Sequence, residues 1–407
     1  MNIHRPSQSS ARRLLLPSIR LWATRLLAVG AIVYACVLLA LLAVLLLAPE
    51  RVEYTWWLAV PNLLLPHLLA VAVVLLVLLL TTKARRVAAL VAVLGLLIFV
   101  GSSTDLRRPF TKVSAGQPLR IVSLNQRFKN GRVERILDAV AQQNGDVVAI
   151  QELSPLVAAA LAAEMQERYP YQLLAPSRSS EGMGLLSRYP FEVVRHPMEY
   201  NAQHVRVSID GHDITLINVH LEAPQIDIRR HRRLRFLPLV SGYDAAERER
   251  GLAALLRDID AIGGPLLLAG DFNLSDREAS YRALDARLHD AYRDTMLGFG
   301  FSFPYWQRVG GVGHVPVPFP LIRIDYVWSR DGILPVQAHT DCPTSGSDHC
   351  LLAAELRLLA AQQGANATQT AELIAPSALD SLPIALPGNN RERGPFASWR
   401  RYFPAPK

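Results

Sequence analysis

The chain has 407 residues, half of them hydrophobic, and a formal net charge of +8. Its three cysteines are too few for a disulfide-stapled scaffold, and its length allows one large domain or two ordinary ones. The basic excess is partly topological, because Arg12, Arg13, Arg20 and Arg25 precede the first apolar run and Lys83, Arg85 and Arg86 follow the second. Such clusters orient membrane segments, so the charge says less about nucleic acid than it would elsewhere.

In chain order, residues 1–25 form a basic N-terminus that the charge rule assigns to the cytoplasm, and residues 26–104 form a membrane region with three predicted transmembrane helices. The first apolar run, 26–48, carries no charge and is long enough to cross a hydrocarbon core of roughly 30 Å. It is too long for a signal-peptide apolar region and has no convincing cleavage site. The second run, 58–80, has Pro61 and Pro66 near its start and follows Trp56 and Trp57, which suit a membrane interface. The third run, 87–100, is shorter and just spans if residues 101–104 join it; the alternative is a re-entrant or interfacial segment. If it spans, everything beyond it is periplasmic or extracellular, anchored in the plasma or inner membrane. If not, the large domain is cytoplasmic. Arg107, Arg108 and Lys112 in the linker, 105–118, weigh against the third crossing.

The pattern changes over 119–358. Strands are predicted at 119–124, 146–150, 184–186, 205–209, 214–219, 265–269, 324–328 and 351–356. Helices are predicted at 132–143, where Val133, Ile136, Leu137 and Val140 recur at helical spacing, after Pro155, at 245–262 and at 276–288. This is an α/β domain with mixed sheets rather than a doubly wound nucleotide-binding fold. The tail, 359–407, is rich in Ala, Gln, Asn and Pro without sustained period and reads as mostly disordered.

Short polar clusters punctuate the domain, most of them closing a hydrophobic strand: Ser123-Leu124-Asn125, Gln151-Glu152, Asn218-Val219-His220, Gly270-Asp271-Phe272-Asn273 and Ser347-Asp348-His349, with Asp325 on a further strand-like run. Strand ends are where a rigid scaffold presents side chains to a common cleft. A carboxylate such as Glu152 at such a place is costly unless solvated or paired with a cation. Each cluster alone is weak, since Gly-Asp-x-Asn is an ordinary turn in most proteins.

Together, in this order, the clusters resemble those of the endonuclease/exonuclease/phosphatase superfamily, which includes deoxyribonuclease-, sphingomyelinase- and inositol phosphatase-like enzymes. Leu186-Ser187-Arg188-Tyr189-Pro190 is similar to a further stretch of that family. The resemblance implies a four-layer α/β/β/α sandwich behind the membrane region. It also implies a Mg²⁺-dependent hydrolase, with Mn²⁺ as a substitute, cleaving phosphodiester or phosphomonoester bonds by attack of water. By the same resemblance Glu152 is the main metal ligand, helped by Asn125 and Asp348, a hard-oxygen set of the kind Mg²⁺ takes. Asp271 orients or deprotonates the water, and Asn273 holds the water or the phosphate. Asp325 fixes His349, and His349 and His220 donate to the phosphoryl oxygens. Either Asp271 or His349 is the base. No Cys/His cluster has zinc spacing.

The implied partners are the bilayer and a phosphate-ester substrate, either nucleic acid or a phospholipid or glycolipid headgroup; no protein partner is inferred. The competing class is a non-catalytic membrane receptor or scaffold that kept the fold. The basic run 229–235 reads either as a solvated loop or helix start, or as a patch for anionic lipid headgroups or a polyanion. Cys342 and Cys350 read as unrelated thiols, with pairing across Asp348 and His349 the alternative in an oxidising compartment.

Overall fold

The computed structural model describes residues 8–47, 56–82, 84–102, 115–194, 198–230, 238–305, 318–342 and 346–359. The predicted tail beyond Leu359 and most of the predicted linker lie outside the described residues.

Four helices come first: α1 (Gln8–Leu47), α2 (Trp56–Leu63), α3 (Leu65–Leu80) and α4 (Arg85–Ser102). Among the described residues one helical stretch, Leu21–Leu47, is long and apolar enough to cross a membrane, and up to two if α2 and α3 form one span. The single straight helix predicted over 58–80 is not formed. It breaks at Leu64, where φ is −94° and ψ is 14°, and the two parts are bent by 72°. Pro66 explains the break: it has no N–H for the carbonyl one turn back, yet it fits the first turn of a new helix. At the other end of α3, Thr81 and Thr82 return their hydroxyls to Leu78 and Leu79 carbonyls, each at 2.7 Å, and the chain reverses into α4. Leu79 and Ala88 are buried beside this turn, and further along Gly95 faces the Ala72 Cβ at 3.7 Å from its own Cβ position. The pair is therefore antiparallel, and the start of α3 lies at the same end as the finish of α4. Val73, Val74, Val77, Leu96 and Leu97 point outward and are exposed, so these helices are apolar on their outer surface as well as at their contacts.

The remainder is a four-layer sandwich. One six-stranded sheet has the order β13-β14-β1-β2-β4-β3, where β1 is Gln117–Asn125, β2 Val147–Gln151, β3 Tyr171–Ala175, β4 Met183–Ser187, β13 Ile333–Asp341 and β14 Leu351–Leu358. The other has the order β11-β12-β10-β7-β6-β5, where β5 is Phe191–Val193, β6 Asn201–Ile209, β7 His212–His220, β10 Leu266–Asp271, β11 His289–Asp290 and β12 Asp325–Arg330. Alternation along the strands sends Leu119, Ile121, Leu216, Leu267 and Val327 into the layer between the sheets. Helices α5 (Val133–Gln143) and α6 (Pro155–Glu164) cover the first sheet through Ile136, Val140, Val157 and Leu161. Helices α7 (Ala246–Ala261) and α8 (Ala279–Asp285) cover the second through Leu252, Leu255, Ile259 and Tyr281. A short α9 (Ala291–Thr295) lies between β11 and β12 in the chain.

Two local predictions need correction. The helix predicted over 276–288 begins only at Ala279, because buried Glu278 accepts from the Ser275 amide at 2.7 Å and holds a tight turn before it. The first residues of the basic run, Arg229 and Arg230, are strand rather than helix: they end β8 (Gln225–Arg230), which pairs antiparallel with β9 (Pro238–Asp244) as a separate ribbon; residues 231–237 lie outside the described residues.

Candidate active site

The topology explains why scattered sequence clusters meet. Strands β1 and β2 run parallel in one sheet, as do β7 and β10 in the other, so all four finish at one edge. Asn125 ends β1, Glu152 follows β2, His220 ends β7 and Asp271 ends β10. Strand β12 is antiparallel to β10 and begins at that edge with Asp325; β14 begins there too, just after Asp348 and His349. The register places His220 beside Asp271 and Asp271 beside Asp325. A cavity of about 310 Å³ opens here, lined by Glu152, His220, Asp271, Asn273, Asp348 and His349 among others.

The Asp271 carboxylate is the hub. Its Oδ2 accepts from Asn125 Nδ2 at 3.0 Å and lies 3.8 Å from His220 Nε2 and 3.7 Å from His349 Nε2. Its Oδ1 accepts from the Asn273 amide at 2.9 Å. Burial pushes the Asp271 pKa up to about 6, against the pull of His349 and His220 and with the help of Asp325. The Nδ1 of His349 lies 3.0 Å from Asp325 Oδ2. Burial alone would pull this imidazole toward neutrality, but the Asp325 and Asp271 carboxylates outweigh it and raise the pKa to about 10. At neutral pH His349 is therefore a cation with Nε2–H aimed at the hub.

Glu152 stands apart chemically. It takes a left-handed conformation, φ 53°, which breaks the strand's alternation and turns its side chain into the cleft. Its Oε1 accepts from Asn125 Nδ2 at 3.3 Å and its Oε2 from the Phe128 amide at 3.0 Å. A carboxylate has about four lone-pair positions, so two such bonds leave room for a cation. Asp348 faces Arg127 Nε at 3.7 Å, longer than a hydrogen bond. Hard oxygen donors thus cluster on the Glu152 side of the cavity, a set that fits a divalent cation. Ligand-capable atoms of Asp271, Asp325 and His349 also lie within 4.8 Å of one another, a second group that could hold a metal ion.

Several supports were not legible as functional. Asn218 Nδ2 donates to the Ile150 and Gly184 carbonyls at 3.2 and 3.0 Å, and its Oδ1 accepts from Gln151 Nε2 at 2.7 Å. This buried amide clamps the two sheets together beneath Glu152 and His220. Buried Arg248 holds the Asn273 carbonyl at 2.7 Å and pairs with Glu278 at 2.6 Å; the one sequence signal was the Ser275-x-x-Glu278 spacing of a capping box. A Cβ on Gly270 would meet the Val219 carbonyl oxygen at 1.9 Å, so only glycine lets β10 approach β7 before Asp271. The aromatic ring of Phe303, 4.8 Å from that of His349, also lines the cavity. Cys342 and Cys350 are joined in a disulfide, which corrects their reading as unrelated thiols: the reversal between β13 and β14 brings them together across the Asp348–His349 segment.

The model of the Endonuclease/Exonuclease/phosphatase family matches residues 122–349, more than half of the chain. The chain belongs to this family. As an endonuclease/exonuclease/phosphatase-family protein it is a phosphoric ester hydrolase, and the Asp271, Asp325 and His349 group is a possible site for the family's divalent metal. Among solved structures, it is similar to TDP2 from D. rerio complexed with single-strand DNA product, at 19% identity and a TM-score of 0.44, covering 59% of this chain and 99% of that one. It is similar to an endonuclease/exonuclease/phosphatase from Bacteroides vulgatus at 17% identity and a TM-score of 0.43, covering 60% and 99%. The human Nocturnin catalytic domain with bound sulfate is similar at 18% identity and a TM-score of 0.41, covering 62% and 98%. No curated protein matches the chain.

Proposed function

We propose that this chain is a membrane-anchored, Mg²⁺-dependent hydrolase of phosphodiester or phosphomonoester bonds, with its catalytic domain on the non-cytoplasmic face. The carrying observation is the meeting of Glu152, Asp348, His220, Asp271, Asn273 and His349 around one cavity. Glu152, with Asn125 and Asp348, would hold the cation, which when bound supplies positive charge to the phosphoryl oxygens. Asp271, ionised above pH 6 and oriented by Asn125 and the Asn273 amide, takes a proton from the attacking water. Water oxygen bonds to phosphorus as the bond to the leaving oxygen breaks. The leaving oxygen takes the Nε2 proton of His349, and Asp271, 3.7 Å away, returns the water's proton to that nitrogen. Asp325 holds the imidazole in position, and His220 donates to the phosphoryl oxygens. A non-catalytic receptor reading would need a missing catalytic group, and every one of these groups is present.

Three features support the orientation. The catalytic domain touches the start of α3, through His67 Nε2 and the Leu321 carbonyl at 2.8 Å, whereas Arg85 and Arg86 lie beyond its other end. Basic loops stay cytoplasmic, so the domain is opposite them. We read helix α4, 18 residues long and about 27 Å by helical rise, as a further crossing that returns the chain to that side, beyond the one or two spans that length and composition alone support. The disulfide fits an oxidising compartment.

The test uses full-length protein in nanodiscs with bis-p-nitrophenyl phosphate and p-nitrophenyl phosphate. Turnover should vanish with chelator and return with Mg²⁺ or Mn²⁺. Undiminished turnover in chelator overturns the metal role.

A further inference from the structure

Helices α2 and α3 touch the catalytic domain at the Arg277 turn, Phe301, Leu321 and β9. Asn62 Nδ2 donates to the Arg277 carbonyl at 2.8 Å, in the turn that continues from Asn273. His67, bonded to the Leu321 carbonyl, has its ring 5.2 Å from that of Phe301, two residues before the cavity-lining Phe303. Helix α2 packs on β9, whose partner β8 starts just after Leu221 and Ala223 of the cavity wall. The contacts therefore fall beside the mouth of the cleft rather than at the far edge of the sheets.

The 72° bend between α2 and α3 sets the plane. Spanning helices tilt on average about 20° from the bilayer normal. Taken with α3 as one broken span, α2 runs at a low angle to the membrane surface when α3 stands near the normal, with Trp57 exposed as interfacial tryptophans are. Among the described residues outside α1 to α4, the large exposed apolar side chains are Leu156, Tyr171, Val193 and Ile226, elsewhere on the domain, and Leu297, Phe299 and Phe319, 71%, 46% and 58% exposed, which lie within four residues along the chain of the His67 partners Phe301 and Leu321. Phe299 stacks on Phe301 with ring centroids 5.0 Å apart, and so continues the His67 contact outward. Scattered surface hydrophobics need no explanation, but a group contiguous with membrane helices does.

We propose that Leu297, Phe299 and Phe319 form a lip seated in the outer leaflet, and that the cleft beside it takes the phosphate ester of a lipid headgroup from the bilayer surface. This rests on the hydrolase reading above and names its substrate class. Water adds to the lipid phosphorus, one P–O ester bond breaks, and the products are an alcohol and a phosphate monoester, one of which stays in the membrane. Continuity with α2 and α3 is what selects the bilayer as occupant over a second copy of the chain.

The experiment uses full-length protein with Cys36→Ser, carrying an environment-sensitive fluorophore at Leu297→Cys or, as control, at Asp331→Cys on the far turn after β12. Nanodiscs are made of phosphatidylcholine and phosphatidylglycerol, with and without doxyl-labelled lipid. The expected result is quenching at 297 and none at 331. Quenching at 297 that follows protein concentration and not doxyl lipid assigns the patch to a second copy and overturns the proposal. In parallel, phosphatidylglycerol, phosphatidylethanolamine and sphingomyelin in nanodiscs are compared with their water-soluble headgroup esters. At least one lipid should be preferred by about ten-fold in kcat/KM, and Leu297→Ser/Phe299→Ser/Phe319→Ser should abolish that preference through KM while leaving bis-p-nitrophenyl phosphate turnover unchanged. Turnover of the soluble diester without any lipid preference sinks the lipid proposal and leaves the hydrolase reading standing. Loss of both sinks the hydrolase reading itself.

Discussion

The two sheets bring different chemistry to one cleft. The first supplies Asn125 and Glu152 at its strand ends, with the Glu152 carboxylate only half-buried and turned out by a left-handed residue. The second supplies Asp271, Asp325 and His220, all buried, and His349 leans on it through Asp325. One side is open and oxygen-rich, suited to a hydrated cation; the other is dry and holds its protons tightly. On the proposed mechanism the metal and the proton relay are divided between two rigid supports, with Asn125 touching both Glu152 and Asp271 across the divide.

The largest effect should come from the dry side. His349→Ala should lower kcat by on the order of 10²–10⁴-fold. Asp325→Asn should act through the same imidazole, so the double variant should lose little beyond His349→Ala alone. Additive losses in single-turnover measurements would show that the two do not work as a unit. On the open side, Glu152→Gln should raise the Mg²⁺ concentration for half-maximal rate by about ten-fold or more, since it removes a charged hard ligand. A Mg²⁺ titration of the rate checks it, and an unchanged midpoint would move the ligand role elsewhere.

The pH profile separates the two sides further. Asp271 works ionised and its pKa is raised to about 6, so the rate should fall as pH drops through 6. His349 works protonated and its pKa is raised to about 10, so the rate should fall again only near 10. Asp325→Asn removes a carboxylate that raises His349 and should bring the alkaline limb down. A wild-type profile flat between pH 5 and 7 would contradict Asp271 as the base. The smallest effect concerns the Cys342–Cys350 bond, whose sequence separation is 8. A loop this short predicts a loss of about 2.5 kcal/mol for the Cys342→Ser/Cys350→Ser pair, read by thermal denaturation, with a modest fall in kcat as the Asp348–His349 segment loosens.

Much of this was legible from residues alone. Strong alternation and helical spacing marked β1, β7, α5 and α7 to within a residue or two, because each buries one regular apolar face. The short or irregular strands β3, β5, β8, β9, β11 and β13 escaped detection, because they are edge or ribbon strands whose pairing partner, not their own pattern, makes them strands. Asn125, Glu152, His220, Asp271, Asn273, Asp325, Asp348 and His349 stood out through their order along the chain. Arg248, Glu278 and the inter-sheet role of Asn218 did not, since a buried polar side chain is defined by the partners that satisfy it.

Sequence by itself determined the apolar segments before Thr104, the alternating strands and the polar residue types that close them, because these depend on local period and side-chain chemistry. Only the tertiary structure decided that two parallel strand pairs finish at one edge, which turns six distant side chains into one cavity. It also decided that Pro66 splits the second apolar segment and that α2 docks beside the cleft. Distances between strand ends, and the burial that moves Asp271 to about 6 and His349 to about 10, exist only once the sheets pack and exclude water, for it is that exclusion which strengthens every charge left inside.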